Sequence, residues 1–330
     1  EIQAGSYDLV HRITPLSPTT NSPIAARCRK AGVPFMIGPL NGGVPWPSGF
    51  DAERRREREW LSYVRGAYKL VPGRGAMLSA ASAILAGSRH TQSEVPSKYQ
   101  KKCIYMPENA INPDRFNLTA SQPGILPLRA CFIGRLVPYK GPDMLLEAAA
   151  PLLRSGAMKL DVIGDGPLMD TLRTQAAALQ IEQALVFHGW LEHAQVQQVA
   201  ARCHLFTFPS IREFGGGVVL EAMALGVVPV IVDYAGPGEL LQPGTGFKVP
   251  IGSRDEIVSR LHQKLADIAA DPSVLPGMAH NAQAYAKAHF TWSAKAHQVA
   301  EVYDWVLGRR PVKPAPFPAL PPASAIGEIA

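Results

Sequence analysis

The stretch that decides the fold lies at residues 208–224 and reads FPSIREFGGGVVLEAMA. An apolar strand pattern ends at Phe208, a glycine-rich loop follows, and an apolar helical pattern begins near Val218. Glycines at a helix start let backbone N–H groups approach an anion closely, and the helix dipole adds partial positive charge there. We therefore predict a phosphate or diphosphate site formed by Gly216, Gly217 and Val218.

Two glutamates in the same stretch have different predicted surroundings. Glu213 lies in the loop beside the predicted phosphate site, whereas Glu221 lies about one turn inside the helix. An ionised carboxylate only accepts hydrogen bonds, so it suits sugar hydroxyls and not phosphate oxygens. Two glutamates at this spacing often arise by chance, so the pair indicates a sugar-binding site only in combination with a second segment.

That second segment, residues 132–141, reads FIGRLVPYKG and again follows an apolar strand. Open α/β sheets bind ligands beyond the carboxyl ends of their strands, within reach of Arg135 and Lys140. Two cations there would neutralise the charge that develops on a departing diphosphate. The alternative is structural: an ion pair between Arg135 and Glu213 that only bridges two loops.

Short β-branched runs alternate with longer helical patterns along most of the chain, which predicts parallel sheets built from βαβ units. We predict a partial domain over residues 1–117, a linker over 118–128, a complete doubly wound domain over 129–290, a closing helix over 291–308 and a disordered Pro-rich tail over 309–330. The predicted strands of the first domain are 7–13, 34–37, 83–86 and 103–106, and its predicted helices are 22–31 and 51–68. Those of the second domain are strands 130–133, 159–163, 184–188, 205–208, 228–232 and 247–249, with helices 142–154, 168–179, 192–203, 218–225, 254–270 and 280–289.

The distribution of charge and of cysteines indicates which partners and which cellular compartment to expect. The net charge of +6 is concentrated in residues 1–117, which hold 16 Lys and Arg against 9 Asp and Glu. The run from Arg54 to Arg65 interleaves arginines with apolar residues and suits an anionic membrane surface or nucleic acid. A solvated helix with internal glutamate partners explains the run equally well. The four cysteines show no C-x-x-C spacing, which predicts reduced thiols in a cytoplasmic protein without a zinc site. Residues 1–6 show no leader pattern, so we expect a truncated or processed start.

Motifs spread over residues 130–310 together resemble the family 4 glycosyltransferases, which are retaining enzymes of the GT-B fold. The matching stretches are Gly134-Arg135 with Lys140-Gly141, residues 162–167 (VIGDGP), residues 187–189 (FHG), Pro209-Ser210, the Glu213 and Glu221 pair, and Phe290 with Trp292. The resemblance implies an α/β protein of two Rossmann-like doubly wound domains facing across a cleft, here with the first domain incomplete.

The resemblance also implies roles for individual residues. Gly134, Arg135 and Lys140 match positions around the donor diphosphate, and Gly216, Gly217 and Val218 match backbone donors to its phosphates. Glu213 matches a position near the donor sugar, and Glu221 one that bonds the nucleotide ribose. The expected catalytic residues are Arg135, Lys140 and Glu213. The expected donor is a UDP- or GDP-sugar and the expected acceptor a saccharide or lipid-linked saccharide, with no metal, no cofactor and no nucleic acid involved.

The sequence departs from the family pattern at two places. The family usually writes Glu-x-Phe-Gly, whereas here Phe214 directly follows Glu213; and the loop over residues 38–43 carries no histidine. The first predicted domain also lacks the strand, the Gly-rich loop and the further units that open the family's acceptor domain, so a second hypothesis is a nucleotide-sugar-binding fragment without turnover. A dinucleotide-dependent dehydrogenase is disfavoured, because no predicted strand is followed by G-x-G-x-x-G with an acidic residue about 20 positions later.

Overall fold

The computed structural model describes residues 5, 7–56, 72–122 and 124–317. The chain divides into two compact units. Unit 1 comprises Glu1–Gly43, Val64–Glu108 and Ala296–Ala330, and unit 2 comprises Val44–Tyr63 and Asn109–Lys295. These ranges differ from the predicted boundaries, because residues 44–63 and 109–117 cluster with the second unit. Tertiary packing, which composition does not reveal, decides this assignment.

Unit 1 is built on a parallel sheet whose described strands follow the order β1-β2-β3-β4. They are β1 (Val10–Arg12), β2 (Phe35–Leu40), β3 (Ala83–Ala86) and β4 (Cys103–Tyr105). All four lie within or beside the predicted runs, since strands buried on both faces read as continuous apolar segments. The short helices of this unit are α1 (Ile24–Lys30), α3 (Arg74–Ala80) and α4 (Arg89–Ser93). Helices α3 and α4 were not predicted, because five to seven residues show too little periodicity.

The core of unit 1 lies on both faces of this sheet. Phe35 and Ile37 of β2 pack with Cys28 of α1, whereas Met36 packs with Val302 on the other face. Alternate residues of a strand point to opposite faces, so both faces of β2 need a covering layer. Helix α12 (Trp292–Val306) supplies the second layer with its last turns.

Part of the Pro-rich tail is ordered against unit 1, which differs from the predicted disorder. Phe317 is buried, and its ring lies 6.0 Å from the ring of Tyr105. The Lys313 ammonium donates a hydrogen bond to the Cys103 carbonyl at 2.7 Å. One buried aromatic ring and one paired cation hold residues 309–317 without any core-forming periodicity.

Unit 2 contains a parallel sheet that, among the described residues, runs β10-β9-β8-β5-β6-β7. Its strands are β5 (Leu128–Ile133), β6 (Met158–Ile163), β7 (Leu185–Gly189), β8 (Leu205–Phe208), β9 (Val228–Asp233) and β10 (Phe247–Pro250). The chain builds outward from β5 to β7, then returns to place β8 on the other side of β5. The order of strands therefore reverses between β5 and β8.

Helices cover the sheet of unit 2, and most of them coincide with the predicted segments. They are α5 (Pro142–Arg154), α6 (Met169–Ala178), α7 (His193–Ala200), α8 (Gly217–Leu225), α9 (Ala235–Leu240), α10 (Arg254–Ala270) and α11 (Leu275–His289). Helix α10 begins where predicted because Ser253 and Glu256 form a capping box. Helix α9, with the sequence AGPGEL, was not predicted, since glycine and proline are poor helix formers.

The Arg-rich segment is only partly described. Helix α2 (Asp51–Arg56) starts where the predicted helix 51–68 starts, and residues 57–71 lie outside the described residues. In the described part of the chain, no helix combines the length and the apolar character needed to cross a bilayer.

Candidate functional site

The two sequence segments singled out above meet at the carboxyl ends of β5 and β8. These strands are hydrogen-bonded neighbours, with Ala130 opposite Leu205 and Cys131 opposite Phe206. The strand order reverses between them, and open α/β sheets bind ligands beyond the carboxyl ends of the strands at such a reversal. The order of strands thus places residues 134–141 and 209–217 at one site.

Gly134 lies beside the side chain of Lys140. It has a φ of +154°, and a β-carbon there would lie 3.4 Å from Lys140 Cδ and 3.5 Å from Lys140 Nζ. Gly164 adds a second close approach, since its β-carbon would lie 2.0 Å from the Gly134 carbonyl oxygen. The G-D-G sequence after β6 therefore supports the loop after β5 by backbone packing. Asp165 accepts a 2.6 Å hydrogen bond from the Gly166 N–H, as expected of turn chemistry.

Lys140 and Glu213 form an ion pair across the two loops. Lys140 Nζ lies 3.0 Å from Glu213 Oε2, and the two side chains are only 16% and 21% exposed. The ammonium also lies 5.2 Å from the centroid of the Phe208 ring. A loop-bridging ion pair was the structural alternative proposed for Arg135, and Lys140 is the residue that forms it. An ion pair this sheltered interacts more strongly than one in bulk water.

Arg135 occupies a different position from Lys140. Its side chain is exposed, and among the described residues no hydrogen bond or ion pair involves its guanidinium. It extends from the end of β5 beside Gly134. The structure therefore brings Gly134, Lys140 and Glu213 into contact, and leaves Arg135 at the rim.

Backbone hydrogen bonds hold the two loops in register. The carbonyl of Tyr139 accepts a hydrogen bond from the Ile211 N–H at 2.9 Å and another from the Ser210 hydroxyl at 3.2 Å. Gly141 approaches the neighbouring loop so closely that a β-carbon would lie 2.6 Å from the Pro209 carbonyl oxygen. The distance between Lys140 and Glu213 is thus set by the main chain.

The start of α8 follows directly after the glycine-rich loop. Gly216 caps the helix with a φ of +61°, a conformation that glycine adopts without strain. A β-carbon at Gly217 would lie 3.6 Å from the side-chain amide of Asn109, so this donor stands beside the first turn. Sequence reasoning missed Asn109, which lies more than 100 residues earlier and belongs to no motif.

Glu221 belongs to a second cluster, one turn along α8. Its carboxylate Oε1 lies 3.9 Å from His193 Nε2 at the start of α7, and the His193 ring packs edge-on against Phe116 at 5.2 Å. Burial raises the pKa of the Glu221 carboxyl, while His193 and Arg115 lower that pKa. These three neighbours were also missed, because Arg115 and Phe116 lie about 100 residues before Glu221 in the chain and His193 begins a different helix.

Two hydrogen-bonded arrangements in unit 1 involve His11 and the loop over residues 38–43. The His11 ring in β1 bonds both the Tyr303 hydroxyl at 2.9 Å and the Gly38 carbonyl at 2.8 Å, and burial lowers its pKa. In the loop over residues 38–43, the Gly42 N–H donates to the Thr91 hydroxyl at 3.0 Å. Both arrangements are structural hydrogen bonding within unit 1.

Cationic and acidic side chains lie close together at this point of the sheet. Lys140, Arg135 and the first turn of α8 present positive charge, and Glu213 and Glu221 present hydrogen-bond acceptors beside it. In the residues that the structure covers, no group of three or more His, Cys, Asp or Glu side chains is placed to hold a metal ion.

These features define an α/β protein whose Lys140–Glu213 pair lies at the reversal of a doubly wound parallel sheet. Residues 127–289 match the family model described as Glycosyl transferases group 1. This part of the chain is therefore similar to the group 1 glycosyltransferases, and the match covers β5 to α11, including every predicted site residue.

Curated relatives agree with the family match. The chain is 30% identical over 174 residues to alpha-D-kanosaminyltransferase of Streptomyces kanamyceticus, covering 52% of this chain and 44% of the relative. It is 30% identical over 203 residues to GDP-mannose-dependent alpha-(1-6)-phosphatidylinositol monomannoside mannosyltransferase of Mycolicibacterium smegmatis, covering 58% and 50%. The chain spans about half the length of the curated relatives it matches.

Solved structures confirm the fold. The crystal structure of Anabaena Alr3699/HepE in complex with UDP superposes with a TM-score of 0.63 at 20% identity, covering 89% of this chain and 78% of that one. The lipopolysaccharide outer core galactosyltransferase WaaB gives a TM-score of 0.61 at 17% identity, covering 93% and 76%. The predicted GT-B fold is confirmed.

Proposed function

We propose that this protein is a retaining glycosyltransferase that transfers a sugar from a nucleoside diphosphate donor to an acceptor hydroxyl. The observation that carries the proposal is the Lys140–Glu213 pair, 3.0 Å apart between the ends of β5 and β8. It combines a cation for phosphate and a carboxylate for sugar hydroxyls at one point of a sheltered crevice. The glycosyltransferase names of the curated relatives support the same reaction class.

In the proposed complex the donor diphosphate lies between Lys140 and the first turn of α8. Charge-assisted hydrogen bonds from an ammonium and from helix N–H groups stabilise the negative charge that grows on the leaving phosphate. Arg135 closes onto the same phosphates from the rim, where its exposed side chain has freedom to turn. The backbone N–H groups at Gly216, Gly217 and Val218 supply the remaining donors.

The two glutamates contact the neutral parts of the donor. Glu213 accepts hydrogen bonds from hydroxyls of the transferred sugar, and Glu221 accepts them from the nucleotide ribose. Glu221 suits the second role because it lies one turn farther along α8 than the proposed phosphate site. There it lies close to His193, which packs against Phe116. The donor base is proposed to be uracil or guanine; the HepE structure is a UDP complex, and the mannosyltransferase relative is named for GDP-mannose.

We propose transfer on one face of the sugar, without a covalent sugar–enzyme intermediate. The bond from the anomeric carbon to the phosphate oxygen breaks while the bond to the acceptor oxygen forms on the same face. The acceptor proton passes to the leaving phosphate oxygen, so atoms and charge balance without a further base. Lys140 and Arg135 supply the positive charge, and a metal ion is not needed for this step.

The acceptor is proposed to be a saccharide or a lipid-linked saccharide. The mannosyltransferase relative is named for a phosphatidylinositol monomannoside acceptor, which supports the lipid-linked class. A lipid-linked acceptor agrees with peripheral membrane contact through the Arg-rich segment from Arg54 to Arg65, whose arginines would attract anionic lipid headgroups. Arg54 and Arg55 lie on α2, inside unit 2.

A screen of UDP-, GDP- and ADP-sugars tests the proposal by calorimetric binding and by donor hydrolysis. We expect one nucleotide class to bind and its sugar to be released slowly as the free, retained anomer, detected by NMR. Release of the inverted anomer would contradict retention, and binding with no release would favour a nucleotide-sugar-binding protein without turnover.

A further inference from the structure

The segment Pro45–Phe50 is an unexpected neighbour of the proposed site. It follows directly after a stretch of unit 1, yet it packs entirely on unit 2. Phe50 is 1% exposed and lies in an apolar cluster with Met144 and Ile211. The hydroxyl of Tyr234 also donates a hydrogen bond to the Pro45 carbonyl at 3.0 Å. Both ends of the segment are therefore anchored to the donor-side unit.

Trp46 lies between these anchors and contacts both loops of the site. Its ring meets the Tyr139 ring edge-on, with centroids 6.3 Å apart. On the other loop, the Arg212 guanidinium lies 5.1 Å from the Trp46 ring centroid, within the range of a cation–π interaction. One side chain thus joins the loop after β5 to the loop after β8.

The contacts of Trp46 fall on the immediate chain neighbours of the proposed catalytic pair. Tyr139 directly precedes Lys140, and Arg212 directly precedes Glu213. The backbone bond from Ile211 N–H to the Tyr139 carbonyl connects the same two loops between the aromatic cluster and the ion pair. A movement of either loop away from Trp46 would therefore lengthen the 3.0 Å distance between Lys140 and Glu213.

We infer that Trp46 is a positioning residue for the donor site: it clamps Tyr139 and Arg212 so that Lys140 and Glu213 face the same donor molecule. The inference rests on the proposed function for what the pair binds. Its structural part, the coupling of residues 46, 139 and 212, is independent of that function. Trp46 itself takes no part in the reaction.

Hydrogen–deuterium exchange on the full chain tests the structural part. We expect Trp46→Ala to increase exchange in residues 209–216, where the Ile211 N–H is bonded, by about 3- to 30-fold, as loss of a cation–π contact allows. Trp46→Phe keeps a ring beneath Arg212 and should restore most of the protection. Trp292→Ala is the matched control, because Trp292 is 60% exposed. Unchanged exchange in Trp46→Ala, or the same change in the control, would overturn the inference.

Calorimetric titration with UDP and with GDP tests the functional part. We expect Trp46→Ala to weaken the nucleotide that binds by about 3- to 30-fold, and to add little when Lys140 is already replaced by alanine, because coupled residues are non-additive. An equal loss in both backgrounds would show that Trp46 does not act through Lys140. If the unmodified chain binds neither nucleotide, the proposed function fails, while the exchange comparison still decides the role of Trp46.

Discussion

Lys140 Nζ lies 3.0 Å from Glu213 Oε2, although 73 residues separate the two in the chain. The pair bridges two loops whose backbones are themselves hydrogen-bonded, so its geometry is built into the sheet. The Lys140 ammonium is therefore held in place by the Glu213 carboxylate.

Replacing Lys140 by alanine should weaken nucleoside diphosphate binding by about 10- to 100-fold, since a charge-assisted hydrogen bond is worth about 1.5 to 3 kcal/mol. Titration calorimetry measures the loss. Lys159→Ala is the matched control. Lys159 is exposed near the amino end of β6, whereas Lys140 lies beyond the carboxyl ends of the strands. Equal affinity in Lys140→Ala and the control would remove Lys140 from the phosphate site.

Replacing Arg135 by alanine should weaken the same binding with no loss of thermal stability, because its side chain is exposed. Arg202→Ala provides the comparison, since Arg202 is also exposed and precedes β8 at the amino end of the sheet. A lowered melting temperature in Arg135→Ala would instead indicate that the guanidinium supports the loops. Unchanged affinity would exclude its contact with the diphosphate.

Glu213→Gln should separate sugar handling from phosphate handling. The substitution keeps the shape of the side chain but frees Lys140 from its anionic partner, so affinity for the free nucleoside diphosphate should stay equal or rise. Sugar transfer or donor hydrolysis should fall by about 100-fold or more, as for a lost electrostatic contact in a transition state. Reduced affinity for the free nucleotide would contradict the assignment of Glu213 to the sugar.

Glu221→Gln tests the raised pKa of Glu221. Burial disfavours the ionised carboxylate in the folded protein, so the stability cost is absent at low pH and appears as pH rises through the raised pKa. At neutral pH the variant should therefore be more stable, by less than about 1 kcal/mol because the side chain remains about one third exposed. Thermal melts at pH 4 and pH 7 measure this, with the gain expected only at the higher pH. A gain at pH 4 equal to that at pH 7 would contradict the assignment.

Metal removal should leave catalysis intact. Because Lys140, Arg135 and the α8 start supply positive charge to the diphosphate, excess EDTA should not lower transfer or donor hydrolysis. The assay compares EDTA alone with EDTA followed by Mg²⁺ or Mn²⁺. Loss of activity that either ion restores would show that a metal carries part of the charge.

The fold of unit 2 was the easiest part to predict. Helices Pro142–Arg154 and Arg254–Ala270 and strand Leu205–Phe208 have the predicted bounds, because their apolar periodicity, capping residues and flanking turns all agree. Helix α9 was not predicted because its sequence, AGPGEL, has a poor helix propensity. The helix depends on close packing, since a β-carbon at Gly236 would lie 2.1 Å from the Phe214 carbonyl oxygen. Tertiary context overrides local preference at such a position.

The sequence by itself determined which residue types could bind a nucleoside diphosphate and which loops carry them, because glycines, cations and carboxylates at strand ends have local chemical meaning. Only the tertiary structure decided which of these residues lie next to each other. The strand reversal placed β5 beside β8 and so paired Lys140 with Glu213. The segment between β4 and β5 placed Asn109 and Phe116 near α8 and His193, and the start of α7 placed His193 beside Glu221. Trp46 reached the site through packing on unit 2. Contacts across such sequence separations follow from the topology and side-chain volumes of the folded sheet, which no local pattern encodes.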